Sequence, residues 1–216
     1  RPAWPRTPAH RSLSHCAAAA PVRCHDDGYV VTAFGYAHLT RVTIDETTWN
    51  EMRVFMNSLC KMYAKQGKQV IFTETVLNLK KRRHTYIECF AMENSRAQQA
   101  SSYFKKAIAE SDVEWSQHKK LIDTTDKGLR RSIPPQFDYF YVQFGLHQGL
   151  AHVIEDHSKF PWYFAREVIG GMLNLSPDIY LRPKRQLPDE EKKRANEFLE
   201  QWLPFDWTAE LDGGEL

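Results

Sequence analysis

Apolar residues along this chain change their spacing several times, and each change predicts a new element. The β-branched and aromatic run over residues 29–34 reads as a strand. From Asp45 onward, Trp49, Met52, Phe55, Met56, Leu59, Met62 and Tyr63 recur three and four positions apart, the period of a helix with one buried face. Asp45 suits its N-cap and Gly67 its stop. Residues 69–76 and 86–92 read as two further strands, and residues 97–110 as a second helix with Tyr103, Phe104, Ala107 and Ile108 on one side. Glu110, Asp112 and Glu114 mark its end, and a connector closed by Pro134 and Pro135 follows. A dense aromatic strand is predicted over 139–144 and a short partner over 150–155, with Gly145 and Gly149 allowing the reversal. Pro161 sits where a first helical residue would, ahead of Phe164, Val168, Ile169 and Met172, and a polar helix over 188–202 stops at Pro204. No repeat of fixed period is present, and this order predicts an α+β fold.

Residues 1–27 fall outside the patterning. Rich in Pro, Ala, Arg and Ser, they read as a low-complexity tail. Up to Cys24 they share the Arg-rich, acid-poor character of a transit peptide, without the compact apolar stretch of a secretory signal. The remainder, at 42% hydrophobic and 26% charged for the whole chain, has the balance of an ordinary globular protein rather than a disordered or fibrous one. No apolar run reaches the roughly 18 residues of a membrane-spanning helix, so no membrane association is expected. Four cysteines are too few for a disulfide framework, and Cys60 and Cys89 lie inside periodic apolar segments, which predicts a reducing compartment.

Candidate chemistry falls in three places. The first is the run from Lys80 through Glu88, where His84, Tyr86 and Glu88 alternate and so share one face of a strand. The second is the set His147, His152, Glu155, Asp156 and His157. The spacing of its first two histidines fits neither a helical ligand pair nor a same-face strand pair, so no metal is assigned. Instead His147 and His152 are expected to hold a turn by hydrogen bonds, and Glu155 and Asp156 to pair with a nearby cation. The third is a series of basic clusters: Lys80, Lys81, Arg82 and Arg83; Lys105 and Lys106; Lys119 and Lys120; Arg130 and Arg131; Lys184 and Arg185; and Lys192 to Arg194. The net charge is only +2, but bunched in this way it suits phosphate contact, and equally the solvated surface of any globular domain. The aromatics Tyr139, Phe140, Tyr141 and Phe144 are expected in the core rather than on a base-stacking surface.

The His84–Tyr86–Glu88 strand resembles the strand of histidine-triad proteins that carries three alternating histidines. In that family the middle histidine attacks the phosphorus of a nucleotide and a covalent nucleotidyl-enzyme forms. Here that position is Tyr86, whose phenol ionises near pH 10, and Glu88 beside it opposes that ionisation and disfavours a bound phosphate unless a cation intervenes.

The rest of the chain resembles the C-terminal domains of CwfJ-like splicing factors. The likeness rests on Gly28 and His38; on Ile44-Asp45-Glu46 with Trp49; and on Tyr103-Phe104-Lys105-Lys106-Ala107-Ile108, Glu110-Ser111-Asp112, Glu114-Trp115 and Lys119-Lys120-Leu121-Ile122-Asp123. It continues over Phe144-Gly145-Leu146-His147, Gly149, Ala151-His152-Val153-Ile154-Glu155-Asp156, Lys159-Phe160-Pro161, Ile169-Gly170-Gly171-Met172-Leu173 and Pro204-Phe205-Asp206-Trp207. The family also carries a Cys-x-x-Cys of zinc-type spacing, whereas Cys16 and Cys24 here stand far apart in the tail, so no cofactor or metal is predicted.

The resemblance implies a histidine-triad-like antiparallel sheet with packed helices, followed by a smaller α+β C-terminal domain. The expected divisions are a tail not matching the family at 1–27, a truncated first domain at 28–94, a second domain at 95–208 and a tail at 209–216. It further implies a nuclear, non-catalytic, spliceosome-associated scaffold of the late or post-catalytic intron-lariat complex, with spliceosomal proteins, RNA and the lariat debranching enzyme as partners. Two rival readings stay open. One is a nucleotide hydrolase or transferase using His84. The other is a protein adaptor without RNA contact that docks through Trp202, Phe205 and Trp207.

Overall fold

The computed structural model describes residues 20–24, 30–36, 40–79, 85–111, 121–181 and 187–207. Helix α1 (Glu46–Ala64) starts where Asp45 places it: the carboxylate accepts the Thr48 N–H at 2.9 Å and the Thr48 hydroxyl at 2.7 Å. These two bonds hold the Asp45 carboxyl below its ordinary pKa. Gly67, at φ 71, then turns the chain into strand β3 (Lys68–Val76). Strand β4 (Thr85–Glu93) returns antiparallel beside it, with Thr73 opposite Glu88. Helix α2 (Asn94–Glu110) follows with no intervening loop.

Beyond it come β5 (Ile122–Asp123), α3 (Leu129–Ser132) and the hairpin of β6 (Asp138–Phe144) and β7 (Gln148–Ile154), which reverses at Gly145. Helices α4 (Phe164–Met172), α5 (Pro177–Leu181) and α6 (Pro188–Trp202) and a 3-10 turn at Leu203–Phe205 complete the described chain. On the other side of β4, β2 (Val30–Tyr36) pairs antiparallel and β1 (Ala20–Cys24) lies outside it.

All these strands join in one seven-stranded sheet of order β1-β2-β4-β3-β6-β7-β5, every neighbour antiparallel. The period of two along each strand sends alternate side chains to opposite faces. Ile71, Phe90, Met92, Phe140, Val142, Leu150 and Ile154 point to one face, which α2 and α4 cover through Phe104, Ile108, Phe164 and Ile169. Val70, Phe72, Ile87, Cys89 and Ala91 point to the other, against Met52, Met56, Leu59 and Met62 of α1 and Trp202 of α6. The α+β class is therefore realised as helix, sheet, helix in three layers. Among the described residues no helix is long and apolar enough to cross a membrane.

Several elements depart from the sequence reading. Strand β1 lies inside the stretch read as a tail, because main-chain pairing with β2 does not require an apolar pattern. Pro161 precedes α4 by a turn rather than opening it, and α3 and α5 are too short to display a period. The expected boundary at 94/95 coincides with the first residue of α2, and the β3–β6 pairing joins strands from its two sides. Cys60 and Cys89 are packing residues: burial pushes the Cys60 thiol up to about 11 and raises that of Cys89 as well.

Candidate functional site

The alternation along β4 places Tyr86 and Glu88 on the same face as Phe90 and Met92, beneath α2 and α4. A carboxylate there is costly unless it is paired, and Glu88 is only 4% exposed. Its partner is Arg166 on the first turns of α4: Nε donates to Glu88 Oε1 at 2.6 Å and Nη2 stands 2.5 Å from the same oxygen. The guanidinium lies in turn 5.2 Å from the ring centroid of Trp162, whose indole is 48% exposed. Tyr86 is half-buried. Opposite Glu88, the hydroxyl of buried Thr73, like that of Thr75, has no hydrogen-bond partner among the described residues.

This geometry bears directly on the triad comparison. Arg166 supplies the cation that a carboxylate in this position needs, and it commits Glu88 to an ion pair. His84 lies outside the described residues, as do Lys80, Lys81, Arg82 and Arg83.

The opposite face holds a second buried pair that the sequence did not disclose. Arg41 and Glu74 are each 1% exposed, with Arg41 Nε 3.7 Å from Glu74 Oε2. Glu74 also accepts the Arg41 N–H at 3.3 Å and the Tyr139 hydroxyl at 2.9 Å, while Arg41 Nη1 donates to Gln143 Oε1 at 2.8 Å. The Trp49 and Tyr141 rings flank its guanidinium at 5.5 and 5.1 Å. Arg130 ties the same loop down by donating to the carbonyls of Arg41 and Ile44 and to Glu46, so this member of a basic cluster is engaged in structure.

The remaining expected residues are dispersed. Lys105 lines a polar cleft of about 360 Å³ with Ser101, Asp123, Asp126 and Gln148, and Lys106 is exposed 3.9 Å from Glu110. Lys119, Lys120 and His38 lie outside the described residues. His147 is exposed in the β6–β7 turn, whereas His152 is buried mid-strand with its ring 5.7 Å from that of Phe160, so the two do not hold one turn. Glu155 is exposed just past β7. Asp156 accepts from the Ser158 hydroxyl and N–H, which lower its pKa, and lies 3.4 Å from Lys159. Asp138, on β6, faces His157 at 4.0 Å. Among the described residues no three His, Cys, Asp or Glu side chains are grouped to hold a metal. Gly170 and Gly171 differ sharply: a Cβ on Gly170 would meet the Tyr180 ring at 2.6 Å, and one on Gly171 would meet nothing within 4 Å.

Trp162, Arg166, Arg41 and Glu74 were therefore missed from sequence. The one available signal was a run of aromatics after Lys159 that ends in Arg166.

A family model described as "Protein similar to CwfJ C-terminal" matches residues 14–105, and one described as "Protein similar to CwfJ C-terminus 2" matches residues 114–208. The first match begins inside the stretch read as an unrelated tail and takes in β1. The chain is 42% identical over 187 residues to CWF19-like protein 2 of Homo sapiens, covering 87% of this chain and 21% of that protein. It is 40% identical over 186 residues to the CWF19-like protein 2 homolog of Caenorhabditis elegans, covering 86% of this chain and 40% of that one. It is 32% identical over 186 residues to pre-mRNA-splicing factor cwf19 of Schizosaccharomyces pombe, covering 80% of this chain and 28% of that one. The chain thus spans about a fifth of the length of the human relative.

Proposed function

The chain belongs to the CwfJ C-terminal family, and from that premise we propose that it acts in pre-mRNA splicing as a non-catalytic nuclear scaffold that binds RNA or ribonucleoprotein. Its place is the late or post-catalytic intron-lariat complex, and its partners are spliceosomal proteins and RNA, with the debranching enzyme among them. The yeast relative carries the name of a pre-mRNA-splicing factor, which supports the process. The observation that supports a scaffold over a hydrolase is the Glu88–Arg166 pair at 2.6 Å. It commits one polar position of the triad strand to an ion pair, while Tyr86 stands at the attacking position in place of a histidine.

The test is crosslinking of the tagged protein in cells and sequencing of the bound RNA, with a variant carrying Lys80, Lys81, Arg82 and Arg83 all changed to Ala in parallel. Enrichment of introns and spliceosomal small nuclear RNA, weakened in the variant, is the expected result. An RNA profile at background would overturn RNA contact in favour of a protein adaptor. Release of nucleotide by the purified chain, abolished by His84→Ala, would overturn the non-catalytic reading.

A further inference from the structure

Resting on the RNA-binding reading above, we propose that Trp162 is a stacking platform for an unpaired base of single-stranded RNA, with Glu88 acting through Arg166 as a positioning residue for it.

The platform is built from the inside outward. Phe160 is buried against Phe140 and Phe164, with ring centroids 6.0 and 4.8 Å away, and Pro161 fixes the backbone that follows. The Pro161 carbonyl accepts the Phe164 N–H at 3.1 Å, so the turn that presents Trp162 is held at both ends. The Tyr163 ring meets the indole edge-on at 5.6 Å and 86°. Arg166 lies over the ring at 5.2 Å and is itself locked onto buried Glu88. Among the described residues these contacts fix the tryptophan while leaving it 48% exposed, so little ordering entropy is left for a ligand to offset.

The chemistry favours a base over an apolar protein surface. Stacking requires one aromatic face and tolerates any base, and a nearby guanidinium adds a cation–π contribution and N–H donors for sugar or phosphate. Arg166 has those donors to spare: Nε and Nη2 turn to Glu88, and Nη1 has no protein acceptor among the described residues. In the chain, the indole stands between Lys159 and Arg166. An aromatic set among cations matches a polyanion whose bases are free to splay.

The experiment measures binding of the full chain to a short fluorescein-labelled oligouridine, and to an RNA duplex of equal length, by fluorescence anisotropy across a salt series. Trp162→Ala and Trp162→Leu should each weaken single-strand binding by roughly tenfold, while Trp162→Phe stays within about threefold of wild type. The salt slope should be unchanged, because no phosphate contact is removed. Glu88→Gln should weaken single-strand binding less than Trp162→Ala does, and duplex binding should not respond to any of the variants. Circular dichroism melts of each variant verify folding, and the leucine variant separates loss of a π-face from loss of apolar bulk.

Wild-type affinity in Trp162→Ala, with the wild-type chain binding RNA, would overturn the platform and leave the RNA-binding reading standing. No RNA binding by the wild-type chain would overturn both. If Trp162→Ala then also lost splicing proteins that the wild-type chain retrieves, Trp162 would be a protein-docking residue.

Discussion

Glu74 carries a negative charge into the sheet interior, and its partners do not fully compensate its burial. Desolvation pushes its carboxyl above the ordinary value, while the Arg41 charge and the Tyr139 hydrogen bond pull it back. A folded-state pKa above the unfolded one means that the native protein holds the proton more tightly. This contribution to stability is therefore present at acid pH and is lost as pH rises from the unfolded value through the raised one. Asp45 and Asp156 act in the opposite sense, since their lowered pKa values give stability that is lost as pH falls. The expected outcome is that the difference in unfolding free energy between wild type and Glu74→Gln, followed by urea denaturation from acid to neutral pH, declines with rising pH from about pH 4. A difference that rises with pH would show that Arg41 outweighs burial. At this scale the sequence revealed the shared face of Tyr86 and Glu88, because a strand's period of two is local. It could not reveal Arg166, which lies 78 positions away on a helix.

Among the elements, helix α4 carries adjacent glycines with opposite predicted responses. A methyl on Gly170 would fall 2.6 Å from two atoms of the Tyr180 ring, so Gly170→Ala should push α5 off α4 and destabilise the protein by about 1–3 kcal/mol. Shrinking the obstacle with Tyr180→Ala should make the added methyl nearly harmless in that background. Gly171 faces open space, so Gly171→Ala should stabilise by about 0.5–1 kcal/mol through the lower backbone freedom of the unfolded chain. Urea unfolding of the set distinguishes these outcomes. Elements with several turns were legible in advance: α1 from its cap and apolar stripe, and α6 from the proline at its start and the one beyond its end. β1 was not legible, because an edge strand is held by main-chain pairing that its Pro- and Ala-rich sequence does not advertise.

For the molecule as a whole, the two family regions meet inside one sheet. β3, from the first, pairs along its length with β6 from the second, from Ile71 opposite Phe144 to Val76 opposite Tyr139. A chain ending after residue 110 would leave β3 as an open apolar edge, and a chain beginning at residue 114 would leave β6 without its inner neighbour. Each fragment alone should lack a cooperative thermal transition, and mixing the two should restore one; independent melting of either would show that the regions are separate folding units. The family resemblance, not the periodicity, implied a division at 94/95. Pairing between strands so distant in sequence leaves no local trace, so the continuity of the sheet was not readable.

That pairing also sets an order in time. During synthesis, β3 and β4 leave the ribosome well before β6 has been translated, and at about 5–20 residues per second the wait lasts several seconds. Throughout that interval the strand that becomes central to the sheet presents an unpaired apolar edge to its surroundings, so the nascent chain has its greatest need of a chaperone between the emergence of Val76 and that of Phe144.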